Sequence, residues 1–141
     1  MVSFRLLLTA TTLSLGLSSV TLAAPEDDVK AAYEQWNADF NSGDAEKLAS
    51  NYSEDAIFLP PSHAVIEGPQ GVQEFFAPLF ENGVTGHTLE VIKVIDHGDE
   101  ITAAARWSAK GGDGSDIGGI GTHVFQRQDD GSLKLALHTF N

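Results

Sequence analysis

From Thr88 to the last residue the chain alternates, and this alternation constrains the fold more than any other feature. Four segments, Thr88 to Ile95, Glu100 to Lys110, Ile117 to Gln128 and Leu133 to Phe140, read as strands. His97-Gly98-Asp99, Gly111 to Asp116 and Asp129-Asp130-Gly131 separate them as hairpin turns. In the second segment Ile101, Ala103, Ala105, Trp107 and Ala109 fall on one face, with Thr102, Arg106, Ser108 and Lys110 on the other. A sheet with one apolar face must be covered, and nothing inside this half of the chain can cover it.

The cover comes from earlier residues. Val29, Ala32, Tyr33, Trp36 and Phe40 recur at helical spacing, which predicts an amphipathic helix over 27–41 that Gly43 ends. Asp44 caps a second short helix running through Leu48 to about Tyr52. Ala56-Ile57-Phe58-Leu59 is a short strand stopped by Pro60-Pro61, and Ala64-Val65-Ile66 can pair beyond that turn. Gly68-Pro69 opens a third helix, whose Val72, Phe75, Phe76, Leu79 and Phe80 form an apolar stripe that Asn82-Gly83 ends. The class is α+β: helices early, an antiparallel meander late.

Residues 1–24 read as an address. Arg5, a run of Leu broken by Thr and Ser, and the exit Thr21-Leu22-Ala23-Ala24 describe a secretory signal peptide cleaved after Ala23 or Ala24. The expected mature domain is 25–141, periplasmic or extracellular, with no membrane insertion once the signal is removed. With no cysteine in the chain, a disulfide scaffold, a zinc-thiolate site and a cysteine nucleophile are all excluded. A net charge of −12 and a pI near 4.5 argue against nucleic acid as a partner. Gly111 to Ile117 fits the start of a calcium-binding nonapeptide repeat, but in a single copy it reads better as a long hairpin turn. Asn51-Tyr52-Ser53 matches a glycosylation sequon and is discounted because Tyr52 is expected to be buried.

Asn41-Ser42-Gly43-Asp44, the run Tyr52 to Pro61, Ile66-Glu67-Gly68-Pro69 and the closing Asp129 to Asn141, in this order and spacing, resemble the nuclear transport factor 2-like superfamily. The match is closest to its SnoaL-like and ketosteroid-isomerase-like small domains and spans 27–141. The resemblance implies a cone-shaped, curled antiparallel sheet wrapped around the long N-terminal helix, with a pocket inside and homodimerisation through the outer sheet face. The isomerase residues themselves do not carry over. The family's Tyr position, eight residues before the Asp of Gly-Asp, holds Trp36; its carboxylate base position holds Pro60; its second oxyanion donor falls near His123.

The candidate ligand-contacting residues are Tyr33, Trp36, Phe58, His63, Phe76, Trp107, His123 and His138, with Phe75 a further bulky aromatic available to a cavity wall. His123 and His138 are the candidate catalytic pair, since two imidazoles in a half-apolar pocket suit acid–base work near neutral pH. A metal site of His63, His123 and His138 would need three separate segments to converge, which nothing in their spacing fixes, and His87 and His97, near strand ends, are expected to face solvent. The expectation is an exported domain that binds a small, largely apolar or aromatic molecule without cofactor or metal. Its rivals are a cofactor-free isomerase, dehydratase or cyclase with a histidine base, and a dimeric assembly domain with a vestigial pocket.

Overall fold

The computed structural model describes residues 24–141. The signal-peptide reading of 1–24 therefore falls outside the described residues, except for Ala24. The elements run α1 (Pro25–Ser42), α2 (Ala45–Ala49), β1 (Tyr52–Leu59), β2 (Ile66–Glu67), α3 (Gly68–Glu81), β3 (Thr85–Asp96), β4 (Glu100–Lys110), β5 (Asp116–Arg127) and β6 (Leu133–Phe140).

Helix α1 starts with Pro25 and three acids in its first turn, where the positive end of the helix dipole favours them. It ends at Gly43, whose φ of 73° lets its N–H turn back to Phe40 O at 3.0 Å. Asp44 caps α2 by accepting from Lys47 N at 3.0 Å. Helix α2 is shorter than its sequence suggests, because Asn51 O is taken by Leu135 N at 2.8 Å and Tyr52 opens β1. Tyr52 is buried, and Asn51 Nδ2 is engaged with Asp39 Oδ2 at 2.8 Å and Leu48 O at 3.0 Å, which leaves the sequon without a free acceptor amide.

The sheet is open, with strand order β2-β1-β6-β5-β4-β3. The three late hairpins form at the expected turns: His97 N to Glu100 O, Gly111 N to Ser115 O and Gln128 N to Ser132 O close them at 2.9, 2.8 and 2.8 Å. One expectation is corrected. The sheet is mixed, because β1 lies parallel to β6. Alternation tells which face a residue takes and carries no information about which distant strand becomes a neighbour.

Register shifts interrupt β1, β3 and β6, and such bulges bend a strand and strengthen its twist, which accounts for the curl of the sheet. On β4 the expected face is the inner one: Ile101, Ala103, Ala105 and Ala109 are buried, while Arg106, Ser108 and Lys110 are exposed. Val29, Tyr33, Trp36 and Phe40 of α1 and Val72 and Phe76 of α3 complete the buried cluster. The alanines on β4 are short enough for bulkier side chains to lie over them, so the aromatic groups, not the sheet, fill the interior.

Candidate functional site

The histidines organise the interior. His123 on β5 and His138 on β6 are direct cross-strand partners, with ring centroids 4.5 Å apart. Both face inward, His123 by alternation with Gly121 and Phe125, His138 only through a break in alternation. Val124 pairs with Leu137 while Phe125 pairs with Leu135, so Ala136 is an extra residue. This bulge lets Leu135 and His138 point to the same side, whereas unbroken alternation would group His138 with Ala136.

Each ring is held from behind by a tyrosine. Tyr33 of α1 bonds His123 Nδ1 at 2.7 Å, and Tyr52 of β1 bonds His138 Nδ1 at 2.7 Å. Trp36 Nε1 donates to the Tyr52 hydroxyl at 3.3 Å, giving a relay from α1 through β1 to β6.

A third histidine joins them, against expectation. His87 is buried, not solvent-facing. The register shift between Thr85 and Thr88, with Gly86 at φ 67°, turns it inward. Asn41 brackets its backbone, accepting from His87 N at 2.7 Å and donating to His87 O at 3.0 Å, while Asn37 Oδ1 meets His87 Nδ1 at 2.8 Å. Two asparagines one helical turn apart beside the apolar stripe of α1 were the sequence signal for this contact. The His87 ring packs on Trp36 and Phe40 at 4.6 and 4.7 Å and lies parallel to the Trp107 indole at 6.1 Å.

Above these rings is a cavity of about 260 Å³. Its deep end is Trp36, His87, His123 and His138; Phe40 and Phe76 continue the wall, and Trp107, Phe140, Phe75 and Leu79 rise toward the exposed Ile117. Burial falls along that path, so the opening lies between α3 and the β4–β5 hairpin. Gly121 belongs to the lining, and a Cβ there would sit 2.9 Å from His123 Cε1; part of the space exists because this residue has no side chain. Gly119 opposes Trp107 across the ladder, so the indole can lie over β5 and donate to Asn141 O at 3.1 Å. Among the described residues, no Asp, Glu, Lys or Arg lines the cavity.

Burial makes all three imidazoles poor bases. Loss of hydration lowers the pKa of His87 to about 4. Burial, with the neighbouring His87 adding to it, lowers that of His123 to about 3, the Ala103 carbonyl acting to a smaller extent in the opposite sense. His138 is pushed well below the ordinary value by burial and by the two other histidines. Burial moves the Tyr33 and Tyr52 hydroxyls the other way, upward. At neutral pH the site is therefore a set of neutral donors and acceptors.

Not every expected residue reaches this cavity. Trp36, Phe76, Trp107, His123 and His138 line it. Phe58 does not: it is fully buried one layer behind, 4.9 Å from the His138 ring and stacked on Phe76 at 5.5 Å, because β1 lies between β6 and the α3 side of the core. Tyr33 reaches the cavity only through His123. His63 sits exposed at φ 64° on the turn that closes onto Pro60 O, away from the other histidines. The triad of His63, His123 and His138 is not assembled, and no cluster of three or more His, Cys, Asp or Glu suited to a metal occurs among the described residues.

A wider hollow of about 450 Å³ lies on the other side of Tyr33, between α1, the end of α2 and the β5–β6 hairpin. It shares Trp36, Leu89 and His123 with the aromatic cavity, but Asp28, Asp39, Lys47 and Lys134 line it as well. Asp39 is already satisfied by Gln35 Nε2 at 3.0 Å and Asn51 Nδ2 at 2.8 Å, and Asp28 by Arg127 at 2.8 Å. The smaller, uncharged cavity, with three imidazoles in its wall, is the candidate site.

Comparison with known proteins agrees with this geometry. The profile of the family described as SnoaL-like domain matches residues 33–136. No curated protein sequence matches. Among solved structures, a domain of unknown function with a cystatin-like fold from Nostoc punctiforme is 20% identical with a TM-score of 0.72, over 86% of this chain and 78% of that one. An NTF2-like protein with a cystatin-like fold from Novosphingobium aromaticivorans is 18% identical with a TM-score of 0.69, over 82% and 80%. A ketosteroid isomerase-like protein from Erwinia carotovora atroseptica is 16% identical with a TM-score of 0.66, over 81% and 92%. At these identities the likeness is one of fold.

Proposed function

The chain belongs to the family of SnoaL-like domains, and from that premise we propose that it binds a small, neutral, largely apolar or aromatic molecule in the cavity between α1, α3 and the sheet. The observation that carries this is the pairing of aromatic walls with three neutral imidazole edges in a lining free of charged side chains. A charged ligand would lose its hydration there with no countercharge to replace it. A neutral one gains burial against Trp36, Phe76 and Trp107 and hydrogen bonds at the histidines. The volume lies below the roughly 300–1,000 Å³ usual for drug-sized ligands, which suits a compact molecule.

Titration with neutral aromatic probes such as toluene, indole and acetophenone tests the reading. Binding raises the melting temperature by mass action and perturbs the fluorescence of Trp36 and Trp107. Failure of every neutral probe, together with native mass spectrometry that finds no small molecule on protein taken from its own compartment, would refute it.

A catalytic reading stands second, favoured by the 4.5 Å approach of His123 and His138. Cofactor-free isomerase, dehydratase or cyclase chemistry here would use neutral imidazoles as proton donors and hydrogen-bond partners to developing charge, because burial has made them weak bases. The open cavity weighs against an assembly domain with a vestigial pocket. Export through residues 1–24 and homodimerisation through the outer sheet face complete the proposal. The N-terminal sequence of the secreted protein and light scattering of the purified domain test them.

A further inference from the structure

We infer that Tyr33, Tyr52 and Asn37 fix where the protons sit on the three imidazoles, so that His123 and His138 present Nε2–H donors to the cavity while His87 presents a bare Nε2 acceptor. The ligand that fits is a compact neutral molecule carrying a hydrogen-bond acceptor such as a carbonyl together with a donor such as a hydroxyl. The ligand half of this inference rests on the receptor reading above; the proton half stands on the hydrogen bonds alone.

An indole N–H only donates, so the Tyr52 oxygen accepts from Trp36. The Tyr52 proton then needs an acceptor in a fully enclosed place, and the Nδ1 of His138 at 2.7 Å is its only other hydrogen-bond partner among the described residues. Were Nδ1 protonated instead, the phenol proton would be buried without a partner, the costlier of the two defects. His138 thus carries its proton on Nε2. Tyr33 receives no such donor, but His123 Nδ1 is the one hydrogen-bond partner of its hydroxyl among the described residues, and donating to it is what pairs the phenol proton.

His87 is arranged the opposite way. Asn37 Oδ1 can only accept, so His87 Nδ1 carries the proton and Nε2 is bare. Apart from the Ala103 carbonyl that acts on the His123 ring, no group among the described residues meets an Nε2 of the three, and no buried polar side-chain atom there lacks a partner. The Nε2 edges are therefore the ones left to the cavity, which all three rings line, the His123 ring bordering the wider hollow as well. Tyr33, Tyr52 and Asn37 act through the histidines and are positioning residues.

Two-bond ¹H–¹⁵N correlation of the full-length protein, labelled at histidine and recorded near pH 7.5, reads the tautomers directly. Expected are Nε2–H forms for His123 and His138 and an Nδ1–H form for His87. A reversed or averaged tautomer at any of the three overturns the inference. In Tyr52→Phe the His138 signal should move toward a mixture of tautomers while His87 stays unchanged; an unmoved His138 signal denies Tyr52 its role.

The ligand half is read with three probes of similar size: ethylbenzene, acetophenone and 3′-hydroxyacetophenone. Affinity should rise roughly three- to tenfold with each matched polar group. Equal affinities would leave the cavity a receptor and defeat the polar pattern. If none of the three binds, the receptor reading and the ligand half fail together, while the tautomers still decide the proton half.

Discussion

His123 and His138 face each other across the β5–β6 ladder with rings 4.5 Å apart, each fixed by a tyrosine hydroxyl at 2.7 Å on its Nδ1. Two uncharged imidazoles tolerate this closeness in a buried place; two imidazolium ions would not. Acid should therefore work against the fold. With folded pKa values depressed below the unfolded 6.5, the unfolded state binds more protons as pH falls, so stability is full above about 6.5 and is lost progressively toward 3–4. At pH 5 His87 and His123 each contribute about 2 kcal/mol of destabilisation, with His138 acting in the same direction. Urea unfolding of wild type and His123→Gln at pH 7.5 and 5.0 isolates the effect, since the many carboxylates are common to both. The variant should lose less stability over that interval, and parallel losses would mean that His123 is not held neutral.

Removing the Tyr52 hydroxyl leaves two buried partners unpaired, Trp36 Nε1 and His138 Nδ1. Tyr52→Phe should cost about 1–3 kcal/mol by denaturant unfolding. A neutral result would show that the relay does not bear on stability.

Gly121 keeps space open beside His123, where an added Cβ would come within 2.9 Å of Cε1. Gly121→Leu should fill the deep end of the cavity, abolish binding of neutral aromatic probes and cost about 1–3 kcal/mol from overpacking. Retained probe affinity in a folded Gly121→Leu protein would move the site elsewhere.

Phe58 and Trp107 should separate core from wall. Phe58 is wholly buried, and Phe58→Ala should cost about 3–5 kcal/mol. Trp107 is only partly buried and lines the opening half of the cavity, so Trp107→Ala should weaken probe binding and cost less stability. Calorimetric melting paired with fluorescence titration checks both, and the reverse ranking would contradict the assignment.

Arg127 ties the β5–β6 hairpin to the start of α1 through Asp28, with side chains 30% and 23% exposed. A partly solvated pair of this kind is worth little, so Arg127→Ala should cost no more than about 1 kcal/mol. A larger loss in thermal unfolding would mean that the pair controls the docking of α1.

Much of the architecture was legible from local pattern. The Tyr33, Trp36 and Phe40 spacing marks a helix, the Ile101 to Ala109 alternation assigns an inner face, and Gly43, Gly98 and Gly131 place the chain reversals, because each depends only on neighbours within a turn or two. The inward aim of Trp36, Trp107 and His123 was legible for the same reason, with the family resemblance supplying the interior they face.

What tertiary structure alone decided lies where the local period breaks or distant segments meet. The bulge at Ala136 moves His138 into line with Leu135, and the shift after Thr85 turns His87 inward to Asn37; a single extra residue reverses side-chain parity, and no local pattern announces it. The parallel β1–β6 pairing puts Tyr52 behind His138 and Phe58 behind the cavity wall, a contact spanning 86 residues in the case of Tyr52 and His138. Sequence marked most of the side chains the interior contains, His87 being the exception. Long-range pairing decided which of them touch, and hence which imidazole edges remain free for a ligand.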